Sequence, residues 1–197
     1  MSARMVRMAM TLGLLAAGVA PASAHPDIAV SARLSFEMQG QRLLALSELL
    51  VFDAATSRRL AARFDLDGDR SLSAAERETL IGELLARLED CGFFTEISIA
   101  DTRLELPAPV VTDWRFEGNY LQLRLAFRFA TPPDLAARSL DVLLRDRDLI
   151  IAFNLDPTAP VMSGGEATGC TAVVTKRPDE AYFGGLVTPS VVTLTCH

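Results

Sequence analysis

Residues 28–38, with the sequence IAVSARLSFEM, decide the fold class because apolar and polar side chains alternate along the whole stretch. A period of two puts the apolar side chains on one face of an extended strand. A turn follows at Gln39-Gly40-Gln41, and residues 42–52 return as a second strand. The stretch therefore predicts an antiparallel β-hairpin with one buried face.

Further strands follow from the same pattern. A second hairpin is expected to turn at Gly118-Asn119, because residues 121–129 also alternate. Residues 158–168, which contain two adjacent glycines, are typical of a flexible loop. Shorter strands are expected at residues 93–99, 140–144, 149–153, 171–175 and 191–195.

Residues 53–90 interrupt the β pattern with two helices. Asp53 can cap a helix that runs through Arg63, and a second helix starts at Ser73 with an apolar stripe along one side. The sequence thus predicts an α+β fold, in which a mostly antiparallel, sandwich-like β body carries an inserted helix-loop-helix at 53–90.

The loop between these helices, residues 65–76 with the sequence DLDGDRSLSAAE, has the ligand spacing of an EF-hand. Alternate oxygen atoms of such a loop point inward, which suits Ca²⁺ because this hard cation takes roughly six to eight oxygen ligands. Leu72 is expected to dock on the β body. The candidate ligands are the side chains of Asp65, Asp67, Asp69, Ser73 and Glu76 and the backbone carbonyl of Ser71.

Two features of this loop limit the calcium interpretation. Glycine is usual at position six, where φ is positive, and Arg70 in that conformation costs about 1–2 kcal/mol. A single extracellular-type loop would bind Ca²⁺ at roughly 10⁻⁴–10⁻³ M. A metal-free alternative also stands, since Asp/Gly clusters form ordinary turns and Ser73 with Glu76 makes a capping box.

The N-terminal residues predict an export signal. Arg4 and Arg7 precede an apolar stretch at residues 8–19, and Ala22-Ser23-Ala24 supplies a cleavage site. The apolar run is shorter than the ~20 residues that a membrane span needs. We therefore expect a signal peptide at residues 1–24, cleaved after Ala24, and a single periplasmic domain at 25–197 that does not insert into the membrane.

The net charge restricts the class of binding partner, and the cysteine content predicts one disulfide. The net charge is −6, and loss of Arg4 and Arg7 would make the mature chain more acidic, which argues against nucleic acid as a partner and fits a protein that handles cations. Of the three cysteines, Cys170 and Cys196 are expected to form a disulfide in an oxidising compartment. Cys91 would then be buried and inert.

The two histidines offer a second, more speculative metal site. After cleavage His25 would carry a free α-amine beside its imidazole, and Asp27 could add a carboxylate, a donor set suited to Zn²⁺, Ni²⁺ or Cu²⁺. His197 could approach if the terminal strands are neighbours. With so few histidines no catalytic arrangement is evident, so we expect no enzyme, although a copper-dependent redox enzyme using His25 stays open as an alternative.

Several short motifs follow one another over nearly the whole mature chain: His25-Pro26, Phe52-Asp53, the loop at 65–76, Phe93-Phe94-Thr95, Ala152-Phe153, Gly169-Cys170 and Val192-Thr193-Leu194-Thr195-Cys196. Together, and in this order, they resemble an uncharacterised periplasmic family described as a component of ABC-type transport systems.

The resemblance implies a role in metal uptake, because members of that family are often encoded beside zinc or nickel/cobalt permeases. A periplasmic accessory protein in metal-ion handling, with an inner-membrane metal permease or ABC transporter as partner, is thus the leading hypothesis. Departures from the family are Asp27 in place of a histidine, Arg70 in place of a glycine, and no tryptophan near Leu50. The first alternative is a structural or protein-interaction module stabilised by calcium.

Overall fold

A computed structural model of the chain describes residues 26–156, 161–166 and 169–197, with only the backbone described at 161–166. The predicted signal peptide, His25 and residues 157–160 and 167–168 lie outside the described residues. The elements, in chain order, are β1 (Ile28–Gln39), β2 (Arg42–Phe52), α1 (Ala54–Phe64), α2 (Ala74–Asp90), β3 (Thr95–Ile99), β4 (Thr102–Leu104), β5 (Val110–Glu117), β6 (Tyr120–Arg128), β7 (Ser139–Leu144), β8 (Ile151–Leu155), β9 (Val161–Glu166), β10 (Cys170–Lys176) and β11 (Ser190–Cys196).

Two sheets form the β body and confirm the predicted α+β class. The first has the order β5-β6-β2-β1-β8, with β9 also paired to β1, and the second has the order β10-β11-β7-β3-β4. Apolar side chains from both sheets share one buried cluster, which includes Leu34 and Phe127 from the first and Val142 and Leu194 from the second. Hydrophobic burial therefore holds the sheets together.

Both predicted hairpins are confirmed. β1 pairs with β2 in antiparallel register, with Val30 opposite Phe52, and β5 pairs with β6 around Gly118. Gly118 has φ 58°, a left-handed conformation that glycine adopts without strain. The buried side chains of β1 lie at alternate positions, as its period of two predicted.

Two parallel strand pairs were not predicted. β8 and β9 both run parallel to β1, with Ile28 opposite Ile151 and Leu34 opposite Val161. The expectation of a flexible loop at 158–168 was therefore wrong for residues 161–166, because strand pairing with β1 satisfies this glycine-containing backbone. The expected strand at 93–99 also begins later, since residues 92–94 form a short 3₁₀ helix.

The helices occupy the predicted segment between β2 and β3. Asp53 caps α1, accepting a hydrogen bond from the Thr56 N–H at 2.8 Å, and Ser73 caps α2. The Ser57 hydroxyl of α1 accepts from the Leu121 N–H at 2.8 Å and so ties this helix to β6. Phe64 of α1 and Leu80 of α2 are buried in the apolar cluster that both sheets share, which is called the common core below. Neither helix in the described part of the chain is long and apolar enough to span a bilayer.

One carboxyl group lies inside the core between the sheets. Glu48 of β2 is fully buried, and its partners on the neighbouring strands are Leu34 and Leu125. Its Oε1 lies 2.8 Å from the Thr95 hydroxyl of β3, and its Oε2 has no partner among the described residues. Burial raises the pKa of Glu48 to about 8, although the hydrogen bond with Thr95 opposes this shift.

The geometry at Thr95 also favours a protonated Glu48. The Thr95 hydroxyl lies within hydrogen-bond distance of Glu48 Oε1 and, at 2.9 Å, of the Phe93 carbonyl oxygen. A hydroxyl has one hydrogen and cannot donate to both acceptors at once. A neutral Glu48 carboxyl removes the conflict, because it donates to the Thr95 oxygen while the hydroxyl donates to Phe93.

The short turn before β3 is strained, and the rings of its two phenylalanines pack on the first sheet. Phe93 and Phe94 have φ values of 54° and 56°, which cost about 1–2 kcal/mol each for residues that carry a Cβ. The Phe93 ring packs edge-on against Phe127 of β6 at 5.7 Å, and the Phe94 ring lies 5.4 Å from Phe153 of β8. Both rings thus reach from the turn to the first sheet and offset the strain by packing.

The cysteines follow one prediction and contradict another. Cys170 and Cys196 form a disulfide, and they stand directly opposite each other in the pairing of β10 with β11. Cys91, expected to be buried, is exposed. It lies at the C-terminal cap of α2, outside the apolar stripe, so it has no core to enter. Partial desolvation of the sulfur and the nearby Asp146, Asp90 and Asp148 carboxylates raise the pKa of its thiol.

Replacing Glu48 by glutamine should remove a pH dependence of stability. The folded state binds a proton that the unfolded chain releases at its ordinary value of 4.5, so the contribution of this group is complete below pH 4.5 and is lost as pH rises towards 8. Denaturant unfolding between pH 5 and 8 should therefore show a decline of about 1.4 kcal/mol per pH unit in the wild type. Glu48→Gln should abolish this part of the slope, and at pH 8 the variant should unfold at a higher denaturant concentration than the wild type.

The exposed Glu105→Gln variant is the matched control and should keep the slope. A wild-type stability that rises from pH 5 to 8, or a slope retained in Glu48→Gln, would contradict a protonated buried Glu48.

Removing the disulfide should destabilise the second sheet without changing the fold. The bond closes a loop with a sequence separation of 26 residues, for which the chain-entropy description gives about 3–4 kcal/mol. The Cys170→Ser, Cys196→Ser double variant should lower the free energy of unfolding by that amount in guanidinium titrations. The Cys91→Ser variant, which leaves the bond intact, should unfold like the wild type.

Candidate functional site

The loop at residues 65–73 joins the two helices and is shaped by their ends. α1 ends at Phe64, and the Asp65 N–H still donates to the Ala61 carbonyl at 3.0 Å. α2 begins after Ser73, whose side chain and that of Glu76 form a capping box. Leu72 packs against the common core as predicted, so the loop is fixed to the body of the protein near its C-terminal end.

Three of the predicted ligands come together. Ligand oxygens of Asp65, Asp67 and Glu76 all lie within 4.8 Å of one another. The Glu76 side chain is buried, Asp65 is half-buried and Asp67 is exposed, so the cluster lies at the surface with one wall in the protein. This separation is compatible with a single ion shared by three carboxylates.

The loop backbone turns inward through positive φ angles. Gly68 has φ 74° and Arg70 has φ 67°, so Arg70 takes the conformation predicted for position six although it carries a Cβ. The Arg70 N–H donates to Asp65 Oδ2 at 2.9 Å, and the Ser71 N–H donates to Asp69 Oδ1 at 2.7 Å. Carboxylates of the loop therefore hold its backbone in place and offset the strain at Arg70.

Both oxygens of Glu76 accept hydrogen bonds. The Leu66 N–H donates to Oε1 at 2.6 Å, and the Ser73 N–H and hydroxyl donate to Oε2 at 2.9 Å and 2.8 Å. The Ser73 backbone N–H, the Ser73 hydroxyl and the Leu66 N–H lower the pKa of Glu76, so the side chain stays ionised. Glu76 is thus a fixed negative charge at the end of the loop.

One oxygen in the cluster has no partner. Asp65 Oδ1 is buried and, within the described residues, receives no hydrogen bond. Buried oxygen atoms without a donor are rare in folded proteins because desolvation is not compensated. An ion at the cluster would supply the missing interaction.

The remaining loop predictions have mixed outcomes. Asp69 is not a member of the three-carboxylate cluster, and its Oδ1 instead accepts from the Ser71 N–H. Ser71 is exposed, and its N–H serves the loop in this way. Ser73 lies beside Glu76 and caps α2, as the metal-free interpretation required.

The second predicted metal site is only partly described. His25 lies outside the described residues, so its site stays a prediction. Asp27 is exposed just before β1, and its carbonyl accepts a bond from the Arg59 guanidinium at 3.3 Å. The His197 carbonyl accepts from the Gln41 side chain at 2.9 Å, which places the C-terminus beside the β1–β2 turn.

Two arginine contacts near the loop were missed by the sequence analysis. The Arg77 guanidinium lies 4.5 Å from the ring centre of Trp114 on β5, and Arg70 and Arg77 both line a cleft beside the loop. No spacing rule connects α2 with β5, because tertiary packing brings them together. The only available signal was that Arg70 departs from the usual glycine.

Comparison with known families identifies the family of this chain. A family described as "Protein of unknown function (DUF1007)" matches residues 10–182, which include every strand from β1 to β10, both helices and the loop. No curated protein matches the chain. This coverage is most of the sequence, and the chain belongs to the DUF1007 family of proteins of unknown function.

Proposed function

We propose that the loop at residues 65–76 binds one hard divalent cation, with Ca²⁺ as the ion that its donors suit best. The observation that carries the proposal is the cluster of Asp65, Asp67 and Glu76 oxygens within 4.8 Å, together with a buried oxygen of Asp65 that has no donor among the described residues. Carboxylate oxygens are the preferred ligands of calcium.

Electrostatics supports a cation at this position. Asp65, Asp67 and Glu76 bring three like charges together, and such charges repel by about 1–4 kcal/mol per pair at 4 Å near a protein surface. The nearest basic side chains do not form ion pairs with them among the described residues. A divalent cation would convert this repulsion into attraction.

The hydrogen bonds of Glu76 limit the affinity. Both of its oxygens already accept from Leu66 and Ser73, so an ion must share these oxygens or displace the donors. Binding in the range of roughly 10⁻⁴–10⁻³ M is therefore expected, which suits an extracellular compartment.

We further propose that the protein is exported and serves as a non-catalytic periplasmic accessory in metal-ion handling. The export-signal pattern at residues 1–24, the acidic composition and the cation loop support this role. The partner would be an inner-membrane metal permease or ABC transporter, and His25 with Asp27 would provide the Zn²⁺, Ni²⁺ or Cu²⁺ ligands.

One observation favours a second candidate function. Glu76 and Ser73 form a complete capping box, and the loop closes through its own hydrogen bonds. In this alternative the loop only fixes the helical hairpin to the sheets, and calcium stabilises a structural or protein-interaction module. The two candidates differ in whether transition metals bind.

Calcium should raise the stability of the folded protein through Asp65 and Glu76. At 10 mM Ca²⁺ and the affinity given above, mass action stabilises by about 1.4–2.7 kcal/mol, measured as a shift in the urea unfolding midpoint. Asp65→Asn and Glu76→Gln should each abolish most of this shift. Glutamine can keep the capping box through its one carbonyl oxygen. Its amide nitrogen cannot accept from the Leu66 N–H, so Asp65→Asn is the variant that tests ion binding alone.

The exposed Glu78→Gln variant, on the same helix, is the matched control and should retain the calcium response. If calcium shifts wild type, Asp65→Asn and Glu78→Gln alike, or none of them, the loop is not the cation site.

Titration calorimetry of residues 25–197 with Zn²⁺, Ni²⁺ and Cu²⁺ tests the transport role. Binding should require the free α-amine of His25 and should be lost when a methionine precedes it, because the amine nitrogen then moves away from the imidazole. If none of these ions binds while Ca²⁺ still stabilises the protein, the metal-transport role fails and the structural alternative stands.

A further inference from the structure

A cleft of about 590 Å³ lies beside the cation loop, between α1, the loop and the turn that joins β5 to β6. We propose that this cleft binds a small organic carboxylate, with Arg58, Arg70 and Arg77 holding its anionic group. The volume lies within the range of small-molecule sites, roughly 300–1,000 Å³. This proposal does not depend on calcium binding.

The charge of the cleft is opposite to that of the chain as a whole. Among the described residues, three arginines and a single acidic residue, Asp65, line it, whereas the net charge of the protein is −6. In the described part of the chain, Arg58 and Arg70 form no ion pair and no side-chain hydrogen bond, while the nearby Arg59 is bonded to Thr56. The cleft therefore holds guanidinium groups whose charge is not used inside the protein.

Asp65 does not neutralise these arginines. Its Oδ2 accepts from the backbone N–H of Arg70, and its Oδ1 is buried. Arg77 is held over the face of Trp114, which orients its guanidinium and leaves its N–H donors available at the edge. Guanidinium groups bind carboxylates through paired N–H donors, which gives both strength and orientation.

The other walls select a ligand with an apolar part. Ala61 and Ala62 of α1, Leu72 of the loop and Phe116 of β5 line the same cleft. An inorganic anion would leave these side chains in water, whereas an organic carboxylate would cover them and gain about 25 cal/mol for each Å² of apolar surface buried. The lining therefore favours an organic anion over phosphate or sulfate.

The cleft and the cation loop share four residues, and two of them, Asp65 and Arg70, connect the two sites. Asp65 contributes to the carboxylate cluster and to the cleft, and Arg70 joins them through its backbone hydrogen bond to Asp65 and its side chain. A cation in the loop would neutralise Asp65 and so remove the one negative charge facing the ligand. Carboxylate binding should then be tighter with calcium present, and calcium binding tighter with the carboxylate present, by the same factor.

Phthalate, an aromatic dicarboxylate, is a suitable probe because it combines both features. Binding to residues 25–197 is measured by calorimetry in buffer freed of metal ions by passage over a chelating resin, so that the result does not depend on the cation loop and no soluble chelator carboxylate competes for the cleft. We expect phthalate to bind, and its Kd to rise about tenfold in Arg58→Gln and in Arg70→Gln, since each loses a charge-assisted hydrogen bond. Both arginines are exposed, and their substitution should leave the melting temperature unchanged.

Three controls make the outcome decisive. Arg87→Gln, an exposed arginine on α2 outside the cleft, should bind phthalate like the wild type. The neutral analogue phthalamide and inorganic phosphate should both bind at least tenfold more weakly than phthalate. Equal binding of phthalamide, equal binding of phosphate, no binding of phthalate, or an unchanged Kd in both arginine variants would overturn the proposal.

A second titration at saturating Ca²⁺ tests the coupling, which rests on the proposed cation site. A lower Kd for phthalate with calcium in the wild type, but not in Asp65→Asn, is expected. If phthalate binds in metal-free buffer with the predicted arginine dependence and calcium has no effect, the cleft proposal stands and the cation site or its coupling fails.

Discussion

The buried contact between Glu48 and Thr95 joins the two sheets at the centre of the core. Glu48 lies on β2, between leucines of both neighbouring strands, and Thr95 is the first residue of β3. Removing a carboxyl from water costs several kcal/mol when it is charged, so the core requires a proton there or a strong partner. The partner of Glu48 is the first residue of β3. The same Thr95 hydroxyl lies 2.9 Å from the Phe93 carbonyl and so links the strained turn to this contact.

The position of the loop follows from that turn. Phe93 and Phe94 pack on the first sheet and so anchor the C-terminal end of α2, while Leu80 and Leu88 anchor its length. Glu76 in the first turn of α2 is then held opposite Asp65 at the end of α1. A loop that already has its bound conformation loses less conformational entropy when it binds an ion. The same rigidity keeps Arg70 and Arg77 on the walls of one cleft.

Three local patterns could be interpreted from the sequence. The period of two in β1 and β6 predicted the hairpins, and the caps at Asp53 and Ser73 predicted the helices. The spacing of the loop carboxylates predicted that Asp65, Asp67 and Glu76 would meet. Each is a local signal. Parallel pairing of β8 and β9 with β1 could not be predicted, because the strands are far apart in sequence and no turn connects them. The burial of Glu48 could have been predicted from the sequence, because it lies on the same face of β2 as the buried Leu46 and Leu50. The arginine cleft could not be predicted, because it depends on how α1 and the loop pack beside the turn that joins β5 to β6.

Luminescence of Tb³⁺, a hard cation that can replace calcium, tests the central claim most directly. Trp114 is the only tryptophan in the sequence, and Arg77, which follows Glu76, lies 4.5 Å from its ring centre, so an ion in the loop is close enough to receive its excitation energy. Excitation of Trp114 should produce Tb³⁺ emission that millimolar Ca²⁺ displaces and that Asp65→Asn and Trp114→Phe abolish. Emission that persists at full strength in Asp65→Asn, or its absence from the folded wild-type protein, would contradict a cation site in this loop.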